Sequence, residues 1–237
     1  MPLKRILASP PVWALWVVHI TANWGNYAFF TNIPKFSKED LFIDIEIIGL
    51  ISAFSCFIIG VFSLVSSQIA DSIIRKRWLT VARVRKISAI LGMIVPALIL
   101  CLLWLTDCSL REYAIVIITT AVGTTGFFTS TWVANYLDIS GRFSGILFAI
   151  GNTMNSLTGF TAPLLFGIVT RNGTHSAWAI AFTVCAAVLV VGALIYIAFG
   201  GGELQEWAHE ETRQGTSTEP TELETNKNSP VGTFEVE

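Results

Sequence analysis

The chain has 237 residues, 53% hydrophobic and only 14% charged, with a formal net charge of −2 and a mean hydropathy of +0.63. So much apolar surface cannot be hidden in a core of this size, and lipid is the expected solvent. The cations sit at the ends of apolar runs and form no basic stripe, which excludes nucleic acid as a partner; Cys56, Cys101, Cys108 and Cys185 have no metal-ligand spacing and read as packing residues, so no metal site is expected.

Residues 1–11 form a short basic segment (Lys4, Arg5) ending in Pro10-Pro11, expected on the cytosolic side. The apolar run from Val12 to Ile33 is 22 residues, enough at about 1.5 Å per residue to cross a hydrocarbon core of about 30 Å. A secretory signal is the rival reading, but no small-residue cleavage site closes the run early, so a retained first helix is expected. Further spans follow at 46–69, 87–106, 113–136, 143–169 and 177–199. The expected fold class is all-α: a polytopic membrane protein whose six transmembrane helices form a bundle over residues 12–200. From Glu203 onward nine glutamates face only Arg213 and Lys227, so 201–237 reads as a disordered acidic cytosolic tail.

Orientation follows from lysine and arginine. With a cytosolic N-terminus, eleven of the fifteen cations fall inside, six of them in Arg75, Lys76, Arg77, Arg83, Arg85 and Lys86, and only Lys35, Lys38, Arg111 and Arg171 fall outside. Both termini are then cytosolic. The sequon Asn172-Gly173-Thr174 lies in an outer loop, making Asn172 a candidate glycosylation site.

Every Asp, Glu, Lys and Arg can be placed at a span end, in a loop or in the tail, so the spans carry no ionisable acid or base that would mark a proton or ion pathway beyond histidine. The polar residues that remain lie on faces. In the first span His19, Asn23 and Asn26 recur at i, i+4 and i+7, with Tyr27 adjacent. Two readings stay open for this stripe: hydrogen bonding between helices, and the lining of a water-filled cavity. The fourth span carries Thr120, Thr124, Thr131 and Asn135, and the fifth carries Asn152, Asn155 and Ser156. The third and sixth are almost wholly apolar. A period of three helices, two polar-faced and two plain, suggests an internal repeat with the polar helices at a midplane site and the plain ones facing lipid. His19, Asn23, Asn26, Tyr27, Thr124, Asn152 and Asn155 are the candidate pathway residues.

At the cytosolic face, Asp71 and Arg75 end the second span, and Asp138 and Arg142 repeat the spacing after the fourth. An acid at a helix C-terminus opposes the macrodipole unless a cation compensates it four residues on. These four are candidate gating residues, ion pairs that would break as a bundle rocks; Lys76, Arg77 and Lys86 read as ordinary topology charge.

These pieces resemble the anion:cation symporter family of the major facilitator superfamily, the group of sodium-phosphate cotransporters, sialin and vesicular glutamate transporters. The resemblance rests on Ser9-Pro10-Pro11-Val12-Trp13-Ala14, Asn23-Trp24-Gly25, Ala70-Asp71 before Arg75, Val84-Arg85-Lys86, Asn135 to Ile139 with Arg142, Ser144-Gly145, Gly151-Asn152, Ala162-Pro163 and Phe199 to Glu203 with Gln205 and Trp207. They run in family order over residues 4 to 208 and match the family's C-terminal half. The resemblance implies one half of a twelve-helix fold, alternating access, no cofactor beyond a coupling Na+ or H+, and a small anionic substrate such as phosphate or an organic acid. It departs from the family at Ser72, where the gating motif carries an arginine, and at Ser140-Gly141, where Ala-Pro is common. Ala22 stands where vesicular glutamate members carry an arginine, which points away from glutamate. The partners implied are the bilayer and the absent six-helix N-terminal half; a second reading is a non-transporting membrane protein that binds a full-length relative. No enzyme is expected, since no nucleophile–base pair is visible.

Overall fold

A computed structural model describes residues 2–106 and 111–209. Cys108 and the acidic tail beyond residue 209 lie outside the described residues. Among them the chain is almost entirely helical and contains no strand.

After a short helix α1 (Leu3–Leu7), Pro10 and Pro11 open the 30-residue α2 (Pro10–Glu39). Proline is pre-organised for that position, where its missing N–H would have had no partner in any case. α3 (Ile45–Arg75) runs unbroken for 31 residues, past the expected end at 69. The next rod is composite: α4 (Val81–Ala89), a π-turn (Ile90–Ile94), α5 (Val95–Cys101) and a 3-10 turn (Leu102–Leu105). Pro96 has no N–H for the Gly92 carbonyl and its ring crowds it, so the helix widens one turn ahead of the proline.

α6 (Arg111–Thr124) and α7 (Gly126–Ser140) meet at a one-residue break, Thr125. The hydroxyls of Thr124 and Thr125 donate back to the Ala121 and Val122 carbonyls at 2.8 and 2.7 Å, a substitution for ladder bonds that loosens a helix at its joint. At Gly141 the backbone takes φ +51 and a 3-10 turn reverses the chain into α8 (Ser144–Asn155) and α9 (Thr158–Val169). α10 (His175–Phe199) is N-capped by Thr174, whose hydroxyl accepts the Ala177 N–H.

By length and composition, four helical stretches can cross a membrane: Ile45–Arg75, Val81–Leu105, Tyr113–Val169 and His175–Phe199. The chain is an integral membrane protein. α2 is the hub, packed against α10 most extensively and then against α9, α8, α7 and α3. Glycines set the closest approaches, as small residues do where no hydrophobic force pulls helices together. A Cβ on Gly126 of α7 would lie 2.5 Å from the Ile59 carbonyl oxygen of α3, and one on Gly192 of α10 would overlap Thr21 of α2.

The expectation that the plain third and sixth spans face lipid is met only in part. The second span, α3, is the one left most open: 11% of its apolar window is buried, against 44% for each of the other two.

Candidate functional site

The polar residues gather in three layers along the bundle. At one end, Arg85 at the start of the third rod, the composite of α4, α5 and their turns over Val81–Leu105, donates through Nε to Asp138 Oδ2 at 2.8 Å. Asn135, fully buried one turn before Asp138, donates to the Gly201 carbonyl at 2.9 Å and reaches Asp138 at 3.4 Å. The chain after α10 closes this end: the Gln205 N–H donates to the Ile139 carbonyl, Ser9 donates to Gln205 Oε1, and Trp207 is buried beside Phe143. This clamp joins the starts of α2 and α4 to the ends of α7 and α10. The two chain ends described therefore lie on one side of the bundle.

In the middle, His19 is 1% exposed. Its ring stacks on Trp132 at 4.0 Å between centroids and on Phe148 at 5.7 Å, and Nδ1 shares a 3.0 Å hydrogen bond with the Tyr136 hydroxyl. Gly151 makes room for this cluster, since a Cβ there would meet Tyr136, Trp16 and His19 within 3.0 Å. At the far end, His175 Nδ1 lies 2.7 Å from the buried carboxylate of Asp40 and Nε2 lies 3.3 Å from the Leu103 carbonyl. Lys35 donates to Thr170 Oγ1 nearby and lies over the Trp178 ring. This second clamp joins the end of α2, the end of the third rod and the start of α10.

The candidate pathway residues do not converge on one cavity. Asn26 lines a void of about 10 Å³ with Ala22, Thr125 and Trp132, barely the room one water needs. Asn23 donates to the His19 carbonyl of its own helix, Thr124 to Ala121, and buried Asn155 accepts from Thr158 through Oδ1 at 3.2 Å. Tyr27 and Asn152 face outward from α2 and α8. The stripe is thus split between internal hydrogen bonding and surface.

The i, i+4 ion pairing expected at the two helix ends is not the pairing found. Asp138 is held by Arg85, 53 residues away, while Arg142 lies over the Phe143 ring at 5.0 Å. Asp71 and Arg75 are both exposed on the last turn of α3, with no ion pair within 4.0 Å joining them. Asn172 is exposed in the loop before α10, where the threonine of its sequon is the helix cap. Sequence reasoning gave Arg85 no gating role, counting it only toward orientation and the family resemblance, and missed the Asp40–His175 pair, whose members are 135 residues apart. No local pattern signals either.

A strandless bundle of this layout has the fold of a membrane transporter. It superposes with a TM-score of 0.62 and 14% identity on a crystal structure of the peptide transporter POT in complex with alafosfalin, covering 92% of this chain and 48% of that one. In sequence it is 33% identical to sheep (Ovis aries) sialin over 88% of this chain and 42% of sialin. It is 31% identical to vesicular glutamate transporter 1 of Xenopus tropicalis over 89% of this chain and 36% of that protein. An uncharacterised transporter of Caenorhabditis elegans matches at 28% over 92% of this chain and 44% of its own. No protein-family model matches. The chain is a partial member of the anion:cation symporter family of the major facilitator superfamily, spanning about two fifths of the length of the curated relatives it matches.

Proposed function

We propose that the chain is the C-terminal half of a secondary active transporter of small anions, inorganic phosphate or organic acids, driven by Na+ or H+ and working by alternating access. The observation that carries this is the match to sialin, which takes in nearly nine-tenths of the chain but 42% of the relative. Six membrane passes follow if α2, about 45 Å long at 1.5 Å per residue, is one, and if the reversal at Gly141 divides Tyr113–Val169 into two. The clamp around Arg85 and Asp138 then lies in the cytosol with both termini, the Asp40–His175 clamp and Asn172 lie outside, and the membrane is the plasma membrane or a lysosomal or vesicular one. Asp71, Arg75, Asp138 and Arg142 belong to the cytosolic gate, with Arg85 added to them. His19, Asn23, Asn26, Tyr27, Thr124, Asn152 and Asn155 remain the candidates for the pathway, with Tyr27 and Asn152 best placed to meet the other half.

A second reading, a membrane protein that binds a full-length relative without transporting, is favoured by one observation. Leu50, Phe54, Phe57, Val61 and Leu64 recur on α3 at spacings of four and three, between 38% and 71% exposed. That is a seam of knobs with no partner helix among the described residues. One experiment separates the two readings. The chain is expressed alone and joined to the N-terminal six helices of a sialin-type relative, and both are reconstituted in vesicles with an inward Na+ or H+ gradient and labelled phosphate or organic acid. Gradient-dependent uptake by the joined protein alone is the expected result. Stable assembly without uptake of any of these anions would overturn the transport reading in favour of the second.

A further inference from the structure

The structure has a second site, distinct from the polar layers. Between the last turns of α3 and the start of the third rod lies a cavity of about 100 Å³, walled by Ile69, Ala70 and Ile73 on one side and Val84, Ile87 and Leu91 on the other. Its walls are almost wholly apolar, and it lies at about 150° around α3 from the Leu50–Leu64 seam at 100° per residue. A helix packed on the seam would leave it open.

The turn that closes its end is basic. Leu79 of that turn lines the cavity, and Lys76 and Arg77 before it and Arg83 at the start of α4 are exposed with no ion-pair partner among the described residues, while Arg75 and Lys86 fall on the far faces of their helices at 100° per residue. From Ser72 to Thr106 the sequence holds no Asp or Glu. Arg85 is neutralised by Asp138; among the described residues the acids beside this turn are exposed Asp71 and exposed Glu203, which follows Gly202 where it packs on Val81 and Ala82. Trp78 is 70% exposed between these cations, with Lys76 Nζ 4.8 Å from its ring centroid, the placing of an aromatic anchor at a membrane surface. The turn itself is unusual. The Trp78 N–H closes on the Ile73 carbonyl and the Arg77 N–H on Ile74, which puts Arg77 at the left-handed position (φ +55) where glycine is the ordinary residue. A Cβ there is unfavourable by about 1 kcal/mol, so glycine would relieve this helix ending.

We propose that this groove is a binding site for one anionic phospholipid of the cytosolic leaflet, an acyl chain lying in the Ile69–Leu91 cleft and the phosphate-bearing headgroup between Arg77 and Arg83. Apolar cleft and cationic mouth, a few residues apart at a membrane surface, match the two ends of that ligand and of no soluble anion. The site depends on the chain spanning a membrane and not on which anion it carries.

The test is native mass spectrometry of the full chain in detergent, titrated with phosphatidylserine and phosphatidylcholine of identical acyl chains. Phosphatidylserine adducts are expected to exceed phosphatidylcholine adducts by at least fivefold. Glycerophosphoserine, the headgroup without chains, should fail to displace the lipid at equal concentration. Arg77→Gly removes a charge while relieving the left-handed turn, so it should keep or raise the thermal midpoint and cut the preference by at least half. Ser88→Leu, filling the cleft from α4, should lower retention of both lipids. Equal retention of the two lipids, a preference untouched by Arg77→Gly, or displacement by glycerophosphoserine as effective as by lipid would each overturn the proposal, the last pointing to a free-anion site.

Discussion

α3 and α10 are nearly equal in apolar character, yet over its most apolar stretch one is 11% buried and the other 44%. Both carry a heptad-like stripe. On α10 it reads Ala179, Phe182, Ala186, Leu189, Ala193 and Tyr196, small alternating with large, and every member is 4% exposed or less. On α3 it reads Leu50, Phe54, Phe57, Val61 and Leu64, all large and all open. In lipid, apolarity does not drive helices together, so close packing goes to the stripe that lets a backbone approach. The alternation of sizes, and not hydropathy, separates a helix packed within this half from one left for another partner.

The sharpest way to break that comparison is to place the same bulk on each helix. Gly192→Leu would drive a side chain into Thr21 at the tightest α2–α10 approach. We expect a loss of about 3 kcal/mol, the upper end of overpacking costs, seen as a collapse of the monodisperse peak and thermal midpoint in detergent. Gly60→Leu on α3 meets nothing within 4 Å and should leave both unchanged. If Gly60→Leu were as damaging as Gly192→Leu, the packing distinction would be wrong.

Next in size is the clamp at the end of α10. Arg85→Gln leaves the Asp138 carboxylate, 21% exposed, without its cation, at a cost of about 2 kcal/mol, below the value for a fully buried pair because Asp138 keeps some water. Arg85→Met with Asp138→Leu should recover most of that loss, since removing both partners strands no charge. At the opposite clamp, His175→Phe leaves Asp40, 6% exposed, buried and unpaired and should cost at least as much, about 2 kcal/mol, read as a drop in thermal midpoint.

What was legible in the sequence follows the range of the interaction. The long apolar helices were readable because a run of apolar residues is a local property; the extension of α3 to Arg75 was not, since a helix in a bundle continues past its apolar stretch when its polar turns have water. The break at Thr125 and the widened turn before Pro96 have local causes and could have been read from the threonine pair and the proline. The pairing of Asp138 could not. Arg142 is four residues away and Arg85 is 53, and only the packing of the third rod against α7 decides between them. His19 shows the same limit: its place on a polar stripe was visible, but the aromatic cage of Trp132, Tyr136 and Phe148 around it is assembled from two other helices.

The smallest expected effect in the isolated chain concerns the exposed stripe, and it sharpens the comparison most. Phe57 is 67% exposed on α3, so Phe57→Ala in this chain alone removes a side chain that contacts detergent or lipid and should change stability by no more than about 0.5 kcal/mol. In the protein joined to six N-terminal helices, the same residue would stand in the seam where two halves meet. Deleting it there would open a cavity in a packed interface, at about 2–4 kcal/mol by the cost of large-to-small changes in cores. The ratio of the two effects, measured as thermal midpoint in the same detergent, reports whether the seam is covered by a second half. Equal small effects in both would assign Phe57 to lipid, and the unpaired stripe would then be a membrane-facing surface like any other.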